Sequence, residues 1–199
     1  VKQGLLQRLL TKGIGHTKFK KTEIGEIPEE WEVHSIGSLI EIRHGFAFKS
    51  KYFTEAQSDH ILVTPTNFHI GGGFKNSPLR FYSGGPVPEE YVFKPGDLAV
   101  TMTDLSKAGD TLGYPAIIPD GTLCLHNQRI GRVELTSSKL TLEFLAHFLC
   151  ASRYRHQILV TAPGSTVRHT YHGRIKDVKI QLPLVSEQLA IVTVLNSND

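Results

Sequence analysis

The sequence predicts an α+β fold, a compact and mostly antiparallel β domain with a few helices, flanked by helix segments at both ends. Three observations predict it. Between about residues 43 and 135, short runs rich in β-branched and aromatic residues alternate with turn signals: Gly71-Gly72-Gly73, Gly84-Gly85, Pro95-Gly96-Asp97 and Asp120-Gly121. That spacing suits short strands joined by tight connections. Near each terminus, apolar residues recur at helical spacing. Hydrophobic residues at 40% and charged residues at 21% of 199 are ordinary globular proportions, which exclude disorder, collagen-like repeats and a disulfide scaffold.

Leu5, Leu6, Leu9 and Leu10 form one helical stripe over residues 1–11, and Gly13 and Gly15 stop it. A helix of about three turns is marginal alone in water, so it is expected to pack on a partner or continue a longer helix. Residues 16–33 read as a polar connection closed by Pro28 and Trp31, and Ser35 reads as the cap of a short helix carrying Ile36, Leu39 and Ile40. Strands are expected at Tyr52-Phe53, Ile61–Val63, Phe81-Tyr82, Tyr91–Phe93, Leu98–Met102, Ala116–Ile118 and Ile130–Leu135, with Leu123-Cys124-Leu125 as a further buried strand. Thr141 reads as the cap of a helix running to about residue 160, with Leu142, Leu145, Phe148, Leu149 and Ser152 on one face and Pro163-Gly164 as its stop. Residues 175–182 read as a last strand ended by Pro183, and Ser186 as the cap of a terminal helix bearing Leu189, Val192 and Leu195.

The net charge of +3 names no partner, but its distribution is polarised. Residues 1–21 carry Lys2, Arg8, Lys12, Lys18, Lys20 and Lys21 without an acid, and residues 22–60 are acidic. Positive charge returns at Arg153, Arg155, Arg168, Arg174, Lys176 and Lys179 against Asp177. Segregated cations suit a polyanion, since they release counterions from phosphates; the competing reading is a solvated face. The two cysteines, Cys124 and Cys150, form no framework and read as thiols of a reducing, cytoplasmic compartment. The first turns lack the pattern of a secretory leader, and no apolar run approaches the roughly 18 residues of a membrane span.

Catalytic signatures fail one by one. The triple glycine lacks the Gly-Lys-Ser/Thr ending of a phosphate loop and reads as a turn. A G-x-S-x-G elbow, a dinucleotide fingerprint and an Asn-Pro-Pro-Tyr-like segment are also missing. Cys124, His126, His147 and Cys150 have tolerable zinc spacing, but the cysteines sit in apolar strand and helix patterns, so no metal and no cofactor are expected. Asp97, Asp104, Asp110, Asp120 and Glu134 close into no nuclease pattern, and Asp97 and Asp110 read as turn residues bonding nearby amides. The stretch GSTVRHTYHGRIKDVKIQLP at 164–183 differs. Ser165, Thr166, Arg168, His169, Thr170 and Tyr171 are all able to bond a phosphate oxygen or a base edge, and Gly164 and Gly173 permit close backbone approach.

Four stretches match a familiar pattern: VKQGLLQRLLTKGIGH at 1–16, TEIGEIPEEWEV at 22–33, the 164–183 stretch, and LPLVSEQLAIVTVL at 182–195. On these, with GDLAVTMTDLSKAGDTLG at 96–113 and HNQRIGRVEL at 126–135, the chain resembles the DNA specificity subunit of type I restriction and modification systems over nearly its whole length. Val185 and Leu189 depart from it, standing where such subunits usually show proline and a basic residue.

The resemblance implies a single target recognition domain at 17–183. It also implies the end of a conserved coiled-coil spacer helix at 1–16 and the start of the distal helix at 184–199. It further implies a non-catalytic chain that reads one half of a bipartite double-stranded DNA site. The partners it implies are methyltransferase subunits and, through them, a restriction subunit, with self-association through the terminal helices. On that reading Lys49, Lys51, Lys75, Arg80, Lys107, Arg168 and Lys176 grip phosphates, while Arg168 and His169, with Thr103, Ser106, Thr166 and Tyr171, are the expected base contacts. The alternatives are a nuclease or methyltransferase domain, and a β module that binds protein or carbohydrate.

Overall fold

The computed structural model describes residues 2–104, 106–162 and 167–197. The leucine stripe forms helix α1 (Lys2–Lys12), with Leu6, Leu9 and Leu10 buried. The segment read as a polar connection is instead a hairpin of β1 (Phe19–Thr22) and β2 (Gly25–Pro28), because its alternation, with Ile27 inward and charges outward, is enough to lay one face on α1. Next come β3 (Glu32–Ser35) and β4 (Ile40–His44), separated by a single 3₁₀ turn at 36–38. Ser35 therefore caps nothing with its side chain. Ile36 and Leu39 are buried from this turn and the residue that ends it, and Ile40 from the start of β4.

The middle of the chain is made of short strands: β5 (Phe53–Thr54), β6 (His60–Val63), β7 (Phe81–Tyr82), β8 (Leu98–Thr101), β9 (Thr103–Asp104), β10 (Pro115–Ile117), β11 (Leu123–His126) and β12 (Ile130–Leu135). Residues 91–93 are not a strand; a 3₁₀ turn ends at Tyr91, and the chain touches β11 through the single bridge Val92 to Leu125. One sheet has the order β10-β8-β12-β4, all antiparallel. A second has the order β11-β6-β7-β5, in which β11 and β6 run parallel.

Helix α2 (Leu142–Phe148) is capped as expected, the Thr141 hydroxyl accepting from the Phe144 amide. It does not run on to residue 160. The chain breaks at 149–151 and restarts as α3 (Ser152–Thr161). In one continuous helix Tyr154 would lie about 120° around the axis from Phe148, yet both are buried in the same core, and only a break permits that. After β13 (Arg168–His169), residues expected to begin the last strand form α4 (His172–Asp177) instead, which puts Ile175 fully inside; only β14 (Lys179–Leu182) is extended, paired with β3. Ser186 lies within the first turn of α5 (Val185–Asn196), whose N-cap is Leu184.

Strand β8 is covered on both faces. Leu98 and Val100 enter a core shared with all five helices, while Ala99 enters a core between the sheets with Ile61, Val63 and Ile130. The alternation of side chains across a strand places them so. Fully burying a Leu or Val contributes roughly 1.5 to 3 kcal/mol.

The two ends of the chain meet at one carboxylate. Glu187, in the first turn of α5, accepts from the Ile14 amide at 3.0 Å, His16 Nε2 at 2.8 Å and the Trp31 indole Nε1 at 2.9 Å. Gly13, at φ +64°, lies so close that a Cβ there would stand 2.4 Å from Glu187 Oε1. Replacing Glu187 by Ala strands the indole N–H of Trp31, which is 1% exposed. The expected cost is about 1 to 3 kcal/mol, measured by denaturant unfolding, with faster amide exchange in residues 3–12.

In β11, burial holds the His126 imidazole at about 4 against an ordinary 6.5, and its Nε2 donates to the Ile130 carbonyl. The unfolded chain therefore takes up this proton at a higher pH than the folded one. The stabilisation is full above about pH 6.5 and is lost on acidification towards about 4. Unfolding midpoints measured across that window should show the slope, and His126→Gln should flatten it.

Candidate nucleic-acid interface

Four segments leave the central sheet at one end: the exit of β4, the exit of β8, the turn into β12, and β13 with the start of α4. The register fixes this, since Thr101 pairs with Ile130 and Gly131 with His44. Beyond β8, β9 pairs with β13, setting Arg168 opposite Asp104 and His169 opposite Thr103, and the Thr170 amide donates to the Met102 carbonyl.

The loop after β9 is held from within by charged groups. Asp104, 5% exposed, accepts from the Ser106 amide at 2.7 Å, from the Thr111 amide and from the Thr111 hydroxyl at 2.7 Å. Burial alone would raise its pKa, but the amides of Ser106 and Thr111 and their hydroxyls outweigh that and hold the carboxyl below its ordinary value. The Ser106 hydroxyl accepts from the Asp110 amide at 2.8 Å. Arg168 Nε donates to the Lys107 carbonyl at 2.8 Å and its guanidinium also to the Leu159 carbonyl at 3.2 Å. Arg155, stacked 4.0 Å over the Tyr114 ring, donates to the Gly109 and Asp110 carbonyls. One buried anion and two guanidiniums thus take up inward-facing amides and carbonyls of 106–111, leaving the Lys107 side chain exposed.

The structure brings together Thr103, Ser106, Lys107, Arg168, His169 and Tyr171. Thr103 Oγ1 lies 3.0 Å from His169 Nδ1, and His169 and Tyr171 are exposed. Arg174 covers the Tyr171 ring at 4.6 Å, and His172 meets His44 at 2.7 Å. Lys176 is nearby on α4 but is paired with Glu41 of β4 at 2.8 Å, an ion pair that lowers the Glu41 pKa. Lys49 follows the exit of β4 and is exposed. Lys51 lies over the Tyr52 ring at 4.8 Å, and Lys75 and Arg80 sit on the 64–80 connection of the second sheet. None of the described contacts joins those three to the braced loop. Thr166 lies outside the described residues, as do Pro163 and Gly164.

Asp97 does bond a turn amide, that of Lys94. At Asp110, by contrast, the backbone is what is bonded, and the amide-binding role falls to Asp104. The four residues of the zinc spacing have different partners, Cys124 beside the Thr122 hydroxyl at 3.5 Å, His126 on the Ile130 carbonyl, His147 on Asn196 at 3.0 Å and Cys150 on the Ala146 carbonyl. Among the described residues no group of three or more His, Cys, Asp or Glu side chains is arranged to hold a metal ion, and no helix is long and apolar enough to cross a membrane. Arg155, named in the sequence only among the segregated cations, and His44, His172 and the Gln128-Arg129 turn are not among the expected site residues. Only that turn carried a usable signal, two long polar residues between two strand patterns.

The family model for the type I restriction modification DNA specificity domain matches residues 28–199. The chain is 30% identical to the type I restriction enzyme MjaVIII specificity subunit of Methanocaldococcus jannaschii, over 100% of this chain and 46% of the relative. It is 29% identical to the EcoBI specificity subunit of Escherichia coli, over 86% of this chain and 33% of the relative. The HsdS subunit from Thermoanaerobacter tengcongensis shares the fold with a TM-score of 0.63 at 16% identity, over 98% of this chain and 41% of that one. The chain thus spans less than half the length of these relatives.

Asp104→Asn removes the charge that organises the 106–111 loop. The carboxylate's stabilisation is present above the ordinary carboxylate range and is lost as pH falls through its lowered value. The variant should therefore lose about 1 to 3 kcal/mol near neutral pH, lack that acid-side decline, and exchange the amides of 106–111 faster. Unchanged exchange in that loop would contradict the bracing described.

Proposed function

We propose that this chain, which belongs to the type I restriction modification DNA specificity family, supplies double-stranded DNA recognition to a type I restriction-modification assembly. It reads one part of a bipartite target through the loops gathered at one end of its central sheet. The observation that carries this reading is the braced 106–111 loop standing beside the β13 segment, with Lys107, His169 and Tyr171 exposed there. In such a division of labour, cations position the duplex by its phosphates while side chains on a fixed backbone probe base edges.

Arg168 takes the supporting part here. Its donors to Lys107 and Leu159 tie the loop to α3, so it acts on recognition by holding shape. Lys107 grips phosphate. Lys51, Lys75 and Arg80 act as outlying phosphate contacts, and Lys176 works through its pair with Glu41.

Residues 17–183 serve as the target recognition domain, and 1–16 and 184–199 as parts of the two conserved spacer helices. These helices run antiparallel here, with the start of α5 against the end of α1. In the cytoplasm they dock methyltransferase subunits, and through them a restriction subunit, or pair with a second copy. The chain itself neither methylates nor cuts DNA.

Equilibrium titration of the full chain against duplex DNA at several salt concentrations tests this. Non-specific binding is expected between about 0.1 mM and 1 µM near physiological salt, weakening steeply as salt rises. Lys107→Ala should weaken all duplexes alike and reduce the salt slope by about one unit. Arg168→Ala should cost more on a selected duplex than on random DNA. Salt-independent or absent binding, or methyl transfer by the pure chain, would sink the reading.

A further inference from the structure

The turn between β11 and β12 is fixed from several directions at once. Asn127 is 4% exposed; its Oδ1 accepts from the Arg129 amide at 3.0 Å, and its carbonyl accepts from the Ile130 amide at 3.0 Å. The Gln128 amide donates to the Phe46 carbonyl at 3.1 Å, and the Arg129 carbonyl accepts from the Met102 amide at 2.8 Å. Gly45 presses so near that a Cβ there would lie 2.1 Å from the Asn127 carbonyl oxygen, so no other residue would let the exit of β4 approach. The side chains of Gln128 and Arg129 are exposed, and among the described residues neither has a hydrogen bond or an ion pair. Because Phe46 leaves β4 and Met102 leads into β9, the turn stands between the exit of β4 and the β9–β13 pair.

We propose that the 127–129 turn is a base-reading element, Arg129 and Gln128 entering a groove of the duplex from a backbone that is already rigid. This rests on the DNA-recognition reading above and adds to it a second element beside the 106–111 loop. A phosphate grip needs only a cation within reach, whereas discrimination needs a planar group held in register with the base pairs. Arg forks onto O6 and N7 of guanine and Gln onto N6 and N7 of adenine. The Asx turn, the bonds to Phe46 and Met102 and the contact with Gly45 supply that register before binding, so little backbone ordering remains to oppose it.

The test selects a preferred sequence from a duplex library randomised over a short window, using the full chain and then Arg129→Ala, Arg129→Lys and Gln128→Ala. The unaltered chain is expected to enrich a motif. Arg129→Ala should relax it at a guanine and lower affinity for the enriched duplex by roughly 5- to 150-fold, with random duplex much less affected. Arg129→Lys should not restore the preference, and Gln128→Ala should relax a different position. Equal loss on both duplexes, with a lower salt slope recovered by Arg129→Lys, would make Arg129 a phosphate grip and overturn the proposal. No change on either duplex would overturn it too. If the unaltered chain enriches nothing, the DNA-recognition reading fails and the proposal falls with it. Thermal midpoints of the three variants should match the unaltered chain; a variant that unfolds would contradict the partner-free exposure on which the proposal stands.

Discussion

The double coverage of β8 is the constraint on which the rest of the structure depends. A four-residue strand with every side chain buried cannot shift register without moving Leu98 and Val100 out of the helix-side core and Ala99 out of the inter-sheet core together. Its neighbours β10 and β12 are registered on it, and β4 is registered on β12. The end of the sheet is therefore a fixed platform. Loops leaving it inherit positions defined by packing, which is what a reader of base edges requires.

On that platform the polar interactions are concentrated and buried. Asp104, Arg155 and Arg168 each engage backbone groups of one loop, although Arg155 Nη1 is buried without a hydrogen bond. Buried polar networks of this kind are costly when incomplete and rigid when satisfied. The exit of β4 and the turn at 127–129 are joined to the same platform by backbone hydrogen bonds, with Gly45 allowing the close approach. A surface built on short loops can thus be stiff although each loop carries little secondary structure. The outward side chains are then the variable part, since changing Lys107, Gln128 or Arg129 disturbs none of the described bonds that hold the backbone.

A second fixed point lies at the opposite ends of the chain. Glu187 gathers donors from Ile14 and His16 in the stretch after α1 and from Trp31 just before β3, tying the start of α5 to both. Its oxygens are met by three donors from two separate segments, which is why a carboxylate at 17% side-chain exposure is tolerated there. Val185 and Leu189 stand on the part of α5 that this arrangement leaves partly exposed. The start of α5 is therefore tied to the stretch that follows α1 through one residue.

Local order was legible from the residues alone. The leucine stripe of α1, the Thr141 cap, the turn-rich β region and its strands at 61–63, 81–82 and 130–135 depend on neighbours in sequence, and they stand where periodicity and turn chemistry put them. The resemblance to specificity subunits, carried by quoted stretches of the sequence, is supported by the family match over residues 28–199. What the tertiary structure decided is everything that depends on distant partners. The break between α2 and α3 exists because Phe148 and Tyr154 must reach one core. Residues 172–177 are helical because Ile175 is buried that way. The gathering of Lys107, Arg168, His169 and Tyr171, and the separation of Lys75 and Arg80 from them, follows from strand register. Asp104, which closes no nuclease pattern in the sequence, and Arg168, expected at phosphates and bases, bond amides and carbonyls that only the folded chain brings within reach. Sequence periodicity records which face a residue turns inward; it does not record what waits there, because that is set by contacts between segments far apart in the chain.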